Sequence, residues 1–96
     1  MPQEQNAVER VLDQFELLGL YLKRKLFDRE AAWSVLSYYV VNYYKASERV
    51  GLLSDPDPSF YEELRYLYRE MQCEHVRRFG TEEEFDEDFL DSESST

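Results

Sequence analysis

Three stretches of this sequence, residues 6–26, 29–50 and 58–79, repeat their large apolar residues at the period of an α-helix, and that repeat confines the fold to packed helices. In the first, Val8, Val11, Leu12, Phe15, Leu18, Leu22 and Leu26 fall in one arc of about 120°. In the second, Ala32, Trp33, Leu36, Tyr39, Val40, Tyr43, Tyr44, Ser47 and Val50 share an arc of about 140°. In the third, Phe60, Tyr61, Leu64, Leu67, Tyr68, Met71, His75 and Phe79 share about 120°. The β-branched and aromatic run from Val35 to Tyr44 also reads as a strand, but its length and period favour a helix.

Capping residues stand where these helices should begin and end. Asn6 precedes the first, Asp28 the second, and Asp57 with Pro58 the third; Ser59 with Glu62 offers the third an alternative start. Gly51 and Gly80 suit the left-handed residue that closes a helix. Gly19 falls inside the apolar arc of the first helix. A glycine there costs about 1 kcal/mol against alanine, and a close approach by another helix, near the aromatics of the second, would compensate. With only three glycines and three prolines in 96 residues, a many-turned β fold is disfavoured. The expected fold is all-α: an antiparallel three-helix bundle over residues 1–80 and an acidic, disordered C-terminal tail over residues 81–96.

The charge supports that division. Of the net −10, the segment from Glu82 to Glu93 supplies eight carboxylates and no base, so the body is nearly neutral. Direct binding to nucleic acid is disfavoured, because phosphates call for a basic face. The longest nearly apolar run, Leu17 to Leu22, is too short to cross a bilayer, and the polar N-terminus does not resemble a signal peptide. One cysteine, Cys73, cannot form an internal disulfide. A cytoplasmic protein without a membrane partner is the expectation.

The side chains offer little for chemistry. Cys73 and His75 lie two apart on a helix and point to different faces, so they cannot act as nucleophile and base on each other. The position three before His75 is Gln72, and there is no second histidine, so a carboxylate-bridged di-iron site, haem or zinc lacks ligands. Glu9, Asp13 and Glu16 share a helix face that reads as solvated rather than as a desolvated acid–base pair. Lys23, Arg24, Lys25 and Arg29 make a basic knot suited either to a phosphate or, more simply, to the end of a helix dipole. No catalytic residue, cofactor or metal site is expected.

Apolar residues left over after the core is assigned are more informative. Leu17, Leu20 and Tyr21 lie outside the first stripe, and Val35, Tyr38 and Val41 outside the second. Tyrosine suits interfaces because it buries a ring while keeping a polar tip. The tail interleaves Phe85, Phe89 and Leu90 with acids, a pattern that either docks on a basic groove of a partner or merely solubilises. Leu17, Leu20, Tyr21, Tyr38, Val41, Phe85, Phe89 and Leu90 are therefore the candidate partner-binding residues.

The segments Phe15 to Asp28 (FELLGLYLKRKLFD), Trp33 to Tyr44 (WSVLSYYVVNYY) and Asp57 to Leu64 (DPSFYEEL) together resemble an uncharacterised bacterial family of small helical proteins, a domain of unknown function. The likeness spans about residues 8–70: an apolar helix, a basic turn ending in an acid, then an aromatic helix. Its members often carry an N-terminal membrane segment, from which this sequence departs. The resemblance implies a helical accessory module and assigns no active residues. The function expected is a non-enzymatic adaptor or regulatory module that binds protein, as a homodimer or with another chain. The alternative is an acidic inhibitor that imitates nucleic-acid phosphates to block an enzyme that handles nucleic acid.

Overall fold

The computed structural model describes residues 2–89, with side chains from Ala7 onward. Three helices follow in order: α1 over Pro2–Lys23, α2 over Arg29–Arg49 and α3 over Glu62–Phe79. The fold is the antiparallel three-helix bundle expected. Both α1 and α2 lean chiefly on α3, and the seam between α1 and α2 is the loosest of the three. Leu12, Phe15, Leu22, Ala32, Val40, Val41, Leu53, Leu64, Leu67 and Met71 form the core between them.

Local chemistry explains most helix ends. Asp28 is extended and accepts a hydrogen bond from the Ala31 amide at 3.1 Å, capping α2. At the other end of α2, the Leu52 amide donates to Ser47 and the Gly51 amide to Glu48, with Gly51 at φ 84°. That is the double closure of a Schellman motif. α1 ends the same way, three residues earlier than expected. The Leu26 amide donates to Tyr21 and the Lys25 amide to Leu22, and Lys25 takes φ 59° where a glycine is usual. The N-terminus of α1 also differs: the helix begins at Pro2, so Asn6 lies within it rather than capping it.

The start of α3 is the largest departure from expectation. Asp57 does cap a turn, accepting from the Ser59 amide at 2.9 Å and the Ser59 hydroxyl at 2.8 Å. Tyr61 then turns left-handed, at φ 50°, and the regular helix starts only at Glu62. No side chain of α3 caps it. Glu16 of α1 does so instead, its carboxylate accepting from the Leu64 amide at 2.7 Å. Beside it the Tyr61 hydroxyl donates to Asp13 at 2.8 Å, and Lys23 pairs with Glu63 at 2.7 Å. Burial and the Asp13 carboxylate hold the Tyr61 hydroxyl well above the usual phenol range. The carboxylates read as a solvated face are thus partly committed to joining α1 and α3.

Gly19 lies at this same crossing. A Cβ built on it would stand 2.0 Å from the Glu63 carbonyl oxygen. The close approach expected at Gly19 is therefore present, but it comes from the backbone of α3 and not from the aromatics of α2.

A cluster of ions ties α2 to α3. The Glu74 carboxylate is fully enclosed by three guanidinium groups. Arg29 reaches it across the interface at 3.2 Å, Arg78 at 2.8 Å, and Arg77 closes on it from the following turn. Arg77 and Arg78 also pair with Glu30. Hydrogen bonding from Arg77, reinforced by Arg78 and opposed by desolvation, pushes the Glu74 carboxyl down to about 2. Since its ordinary value is 4.5, folding keeps this proton off, and stability rises with pH through the window from about 2 to 4.5. Acid titration of the wild-type chain should therefore show stability falling across that window. A Glu74→Gln chain should be less stable at neutral pH and flatter across it; equal acid slopes for the two would remove Glu74 as the group responsible.

Candidate functional site

The acidic segment after α3 has a structure of its own. Gly80 closes α3 at φ 82°, its amide donating to the Val76 carbonyl. From there, residues 81–86 run without helix or strand across α2, and a turn at residues 86–89 ends the strap. Residues 81–89 therefore depart from the unfolded tail expected, whereas residues 90–96, and with them Leu90, lie outside the described residues.

Side-chain amides hold the strap by its main chain. Gln72 on α3 accepts from the Glu83 amide at 2.7 Å and donates to the Glu83 carbonyl at 3.2 Å. Asn42 on α2 accepts from the Asp86 amide at 2.6 Å and is braced by donating to the Tyr38 carbonyl. Both carboxamides are buried. The strap's own side chains add to this. Ser37 donates to Glu83 at 2.6 Å, and the Tyr38 hydroxyl donates to Asp86 at 2.9 Å. Arg49 forms a two-pronged pair with Glu87 at 2.8 and 2.9 Å while its guanidinium lies over the Phe85 ring at 4.8 Å. That pairing lowers the Glu87 carboxyl and raises Arg49.

The strap ends on Phe89. Its ring is 1% exposed and meets Tyr43 edge-on at 4.7 Å and Tyr38 at 5.6 Å. Tyr43 in turn meets Phe15 of α1 at 6.0 Å, so Phe89 reaches toward the loose seam between α1 and α2. Val41 is fully buried in the core between the helices. Two expected surface residues are corrected here: Val41 is interior as part of that core, and Phe89 is interior because the Tyr38 and Tyr43 rings receive it.

The remaining candidates divide between two places. Tyr38 and Phe85 belong to the strap-covered cleft, with Tyr38 still 43% exposed. Leu17 and Tyr21 stand apart on the outer face of α1, 45% and 37% exposed, with Leu20 half-buried beside them. Tyr39, Val50, Leu26 and Phe79 fit their apolar arcs yet are exposed. Three of them stand at or beyond helix ends, while Tyr39 is a mid-helix residue left outside, edge-on to Tyr38, as α2 turns Val41 inward to the core.

The other sequence candidates have structural roles. Cys73 is a free, exposed thiol. His75 bonds through Nδ1 to the Thr81 carbonyl at 2.6 Å and packs beside Trp33 and Phe79. In the basic knot, Lys23 is committed to Glu63 and Arg29 to Glu70 and Glu74. Among the described residues, no group of three His, Cys, Asp or Glu side chains is placed to hold a metal ion. No helix among them is long and apolar enough to cross a membrane. Asn42, Gln72 and Arg49 were the residues that sequence reasoning missed; buried carboxamides carry no periodic signal, and only their acidic ligand was visible.

Fold and site together define a class: an all-α bundle closed by a C-terminal strap. No family model, curated protein or solved structure matches the chain.

Proposed function

We propose that this chain is a protein-binding module without catalytic activity, and that it engages its partner through the outer face of α1. The observation that carries this reading is the exposure of Leu17 and Tyr21, one helical turn apart, on the side of α1 turned away from α2 and α3. A large apolar group left in water at helical spacing, on a bundle that already has a complete core, is what a docking surface requires. The occupant is either a second copy or another chain.

Changing Leu17 and Tyr21 together to glutamate tests it. The double variant should keep the helical circular dichroism of the parent and lose assembly, read by sedimentation for the chain alone and by co-purification from its native host. A double variant that folds and assembles with unchanged affinity would show the face to be incidental.

Imitation of nucleic-acid phosphates is the weaker reading. Glu83, Asp86 and Glu87 are engaged by Ser37, Tyr38 and Arg49 of the same chain, which leaves a shorter string of acids, Glu82, Glu84 and Asp88, turned outward on the described strap.

A further inference from the structure

The strap is held as a peptide ligand is held. Gln72 and Asn42 read its main chain, Arg49 reads one acid and one aromatic ring, and Tyr38 and Tyr43 receive Phe89. A buried carboxamide is costly unless it is hydrogen-bonded. Asn42 and Gln72 are buried beneath the strap, whose amides donate to both. With the strap lifted away, the carboxamide oxygens of Asn42 and Gln72 would lose the amides that donate to them, while the Asn42 bond to the Tyr38 carbonyl would remain. The cleft is thus built to be filled by an extended segment.

Nothing in that recognition requires the segment to belong to the same chain. The strap joins α3 through Gly80, a left-handed glycine with open space around its Cβ direction. Several of its anchors are exposed: the Arg49–Glu87 pair and the Tyr38–Asp86 hydrogen bond both lie at the surface. Such contacts are weak individually and screened by salt. The tether to α3 presents the strap to its cleft at an effective concentration on the order of mM.

We propose that the cleft across α2 and α3 is a receptor for an extended, acidic segment of a partner protein that carries a phenylalanine in the position of Phe89, and that the chain's own strap is its tethered, displaceable occupant. The ligand chemistry follows from the seat: a basic guanidinium for an acid and a ring, a hydroxyl for a second acid, two carboxamides for main chain, and an aromatic slot for phenylalanine. This extends the protein-binding reading to a second surface and does not depend on the α1 face.

The test uses the full chain and, as probe, a fluorescent synthetic peptide of the sequence from Thr81 to Thr96. Wild-type chain should bind it weakly, because the tethered strap competes. A Phe89→Glu chain, its strap unseated, should bind at least about tenfold more tightly. Adding Arg49→Glu to that chain, a change at an exposed side chain, should reverse the gain, and a probe with alanine for Phe89 should not bind. If Phe89→Glu prevents folding, the pair Asp86→Ala and Glu87→Arg alters only exposed strap side chains and serves for the same comparison. Equal affinity for wild-type and strap-weakened chains overturns the proposal, as does tight binding that Arg49→Glu leaves unchanged. A Leu17→Glu, Tyr21→Glu chain should bind the probe as its parent does, so failure at the α1 face and failure at this cleft are told apart.

Discussion

Gly19→Ala should lower the stability of the bundle by about 3 kcal/mol, more than most single methyl additions. The new Cβ would fall 2.0 Å from the Glu63 carbonyl oxygen and 2.7 Å from its carbon. Those are backbone atoms at the first turn of α3, so no side chain can swing aside. The crossing must open instead, and with it go the Glu16 bond to the Leu64 amide and the Lys23–Glu63 pair. For a domain of this size the melting temperature should fall on the order of 15 °C. Alanine at Gly80 is the control: its left-handed φ makes the change cost about 1 kcal/mol, but no neighbouring atom lies near the new Cβ. A Gly19→Ala melt no lower than that of Gly80→Ala would mean that α1 and α3 do not cross here.

Leu64→Ala should be comparably severe, at about 2–5 kcal/mol. Leu64 is fully buried among α1, α2 and α3, so truncation leaves a cavity that three helices would have to move to close. Trp33→Ala should sit at the lower end of the same range, about 2 kcal/mol. Its ring is only half-buried, lying under the Arg78 guanidinium at 4.4 Å and beside Phe79. Chemical denaturation of both variants decides the order; a Trp33→Ala loss larger than that of Leu64→Ala would place the tryptophan deeper than α2 and α3 enclose it.

The helices were legible because their information is local. Asp28, Gly51 and Gly80 act within a few residues of themselves, and each does what its position suggests. The end of α1 was not legible, since Lys25 takes a glycine's conformation without being one. Nor was the start of α3, where the capping carboxylate comes from Glu16, 48 residues earlier in the sequence. Gly19 was recognised as a place of close approach, yet the sequence alone could not say which helix approaches. At the candidate site the acidic, phenylalanine-bearing segment stood out, but its seat did not. Asn42 and Gln72 read as ordinary surface amides until a strap crosses them. Val41 and Phe89 read as exposed groups because neither the inward turn of α2 nor the Tyr38–Tyr43 seat is visible in a single helix's period. Leu17, Tyr21, Val35 and Tyr38 kept the exposed position that their periodicity assigned.

The long-range cap on α3 also bears on how the chain folds and breathes. The first amides of a helix have no partner within it, and here one of them, Leu64, is satisfied only when α1 is docked. The N-terminal turn of α3 therefore lacks an independent life: it should form late, after α1 has found its place, and a peptide of α3 alone should be frayed at that end. In hydrogen exchange the Leu64 amide should open with the undocking of α1 rather than with local fraying, so its protection reports the integrity of the α1–α3 pair as a unit.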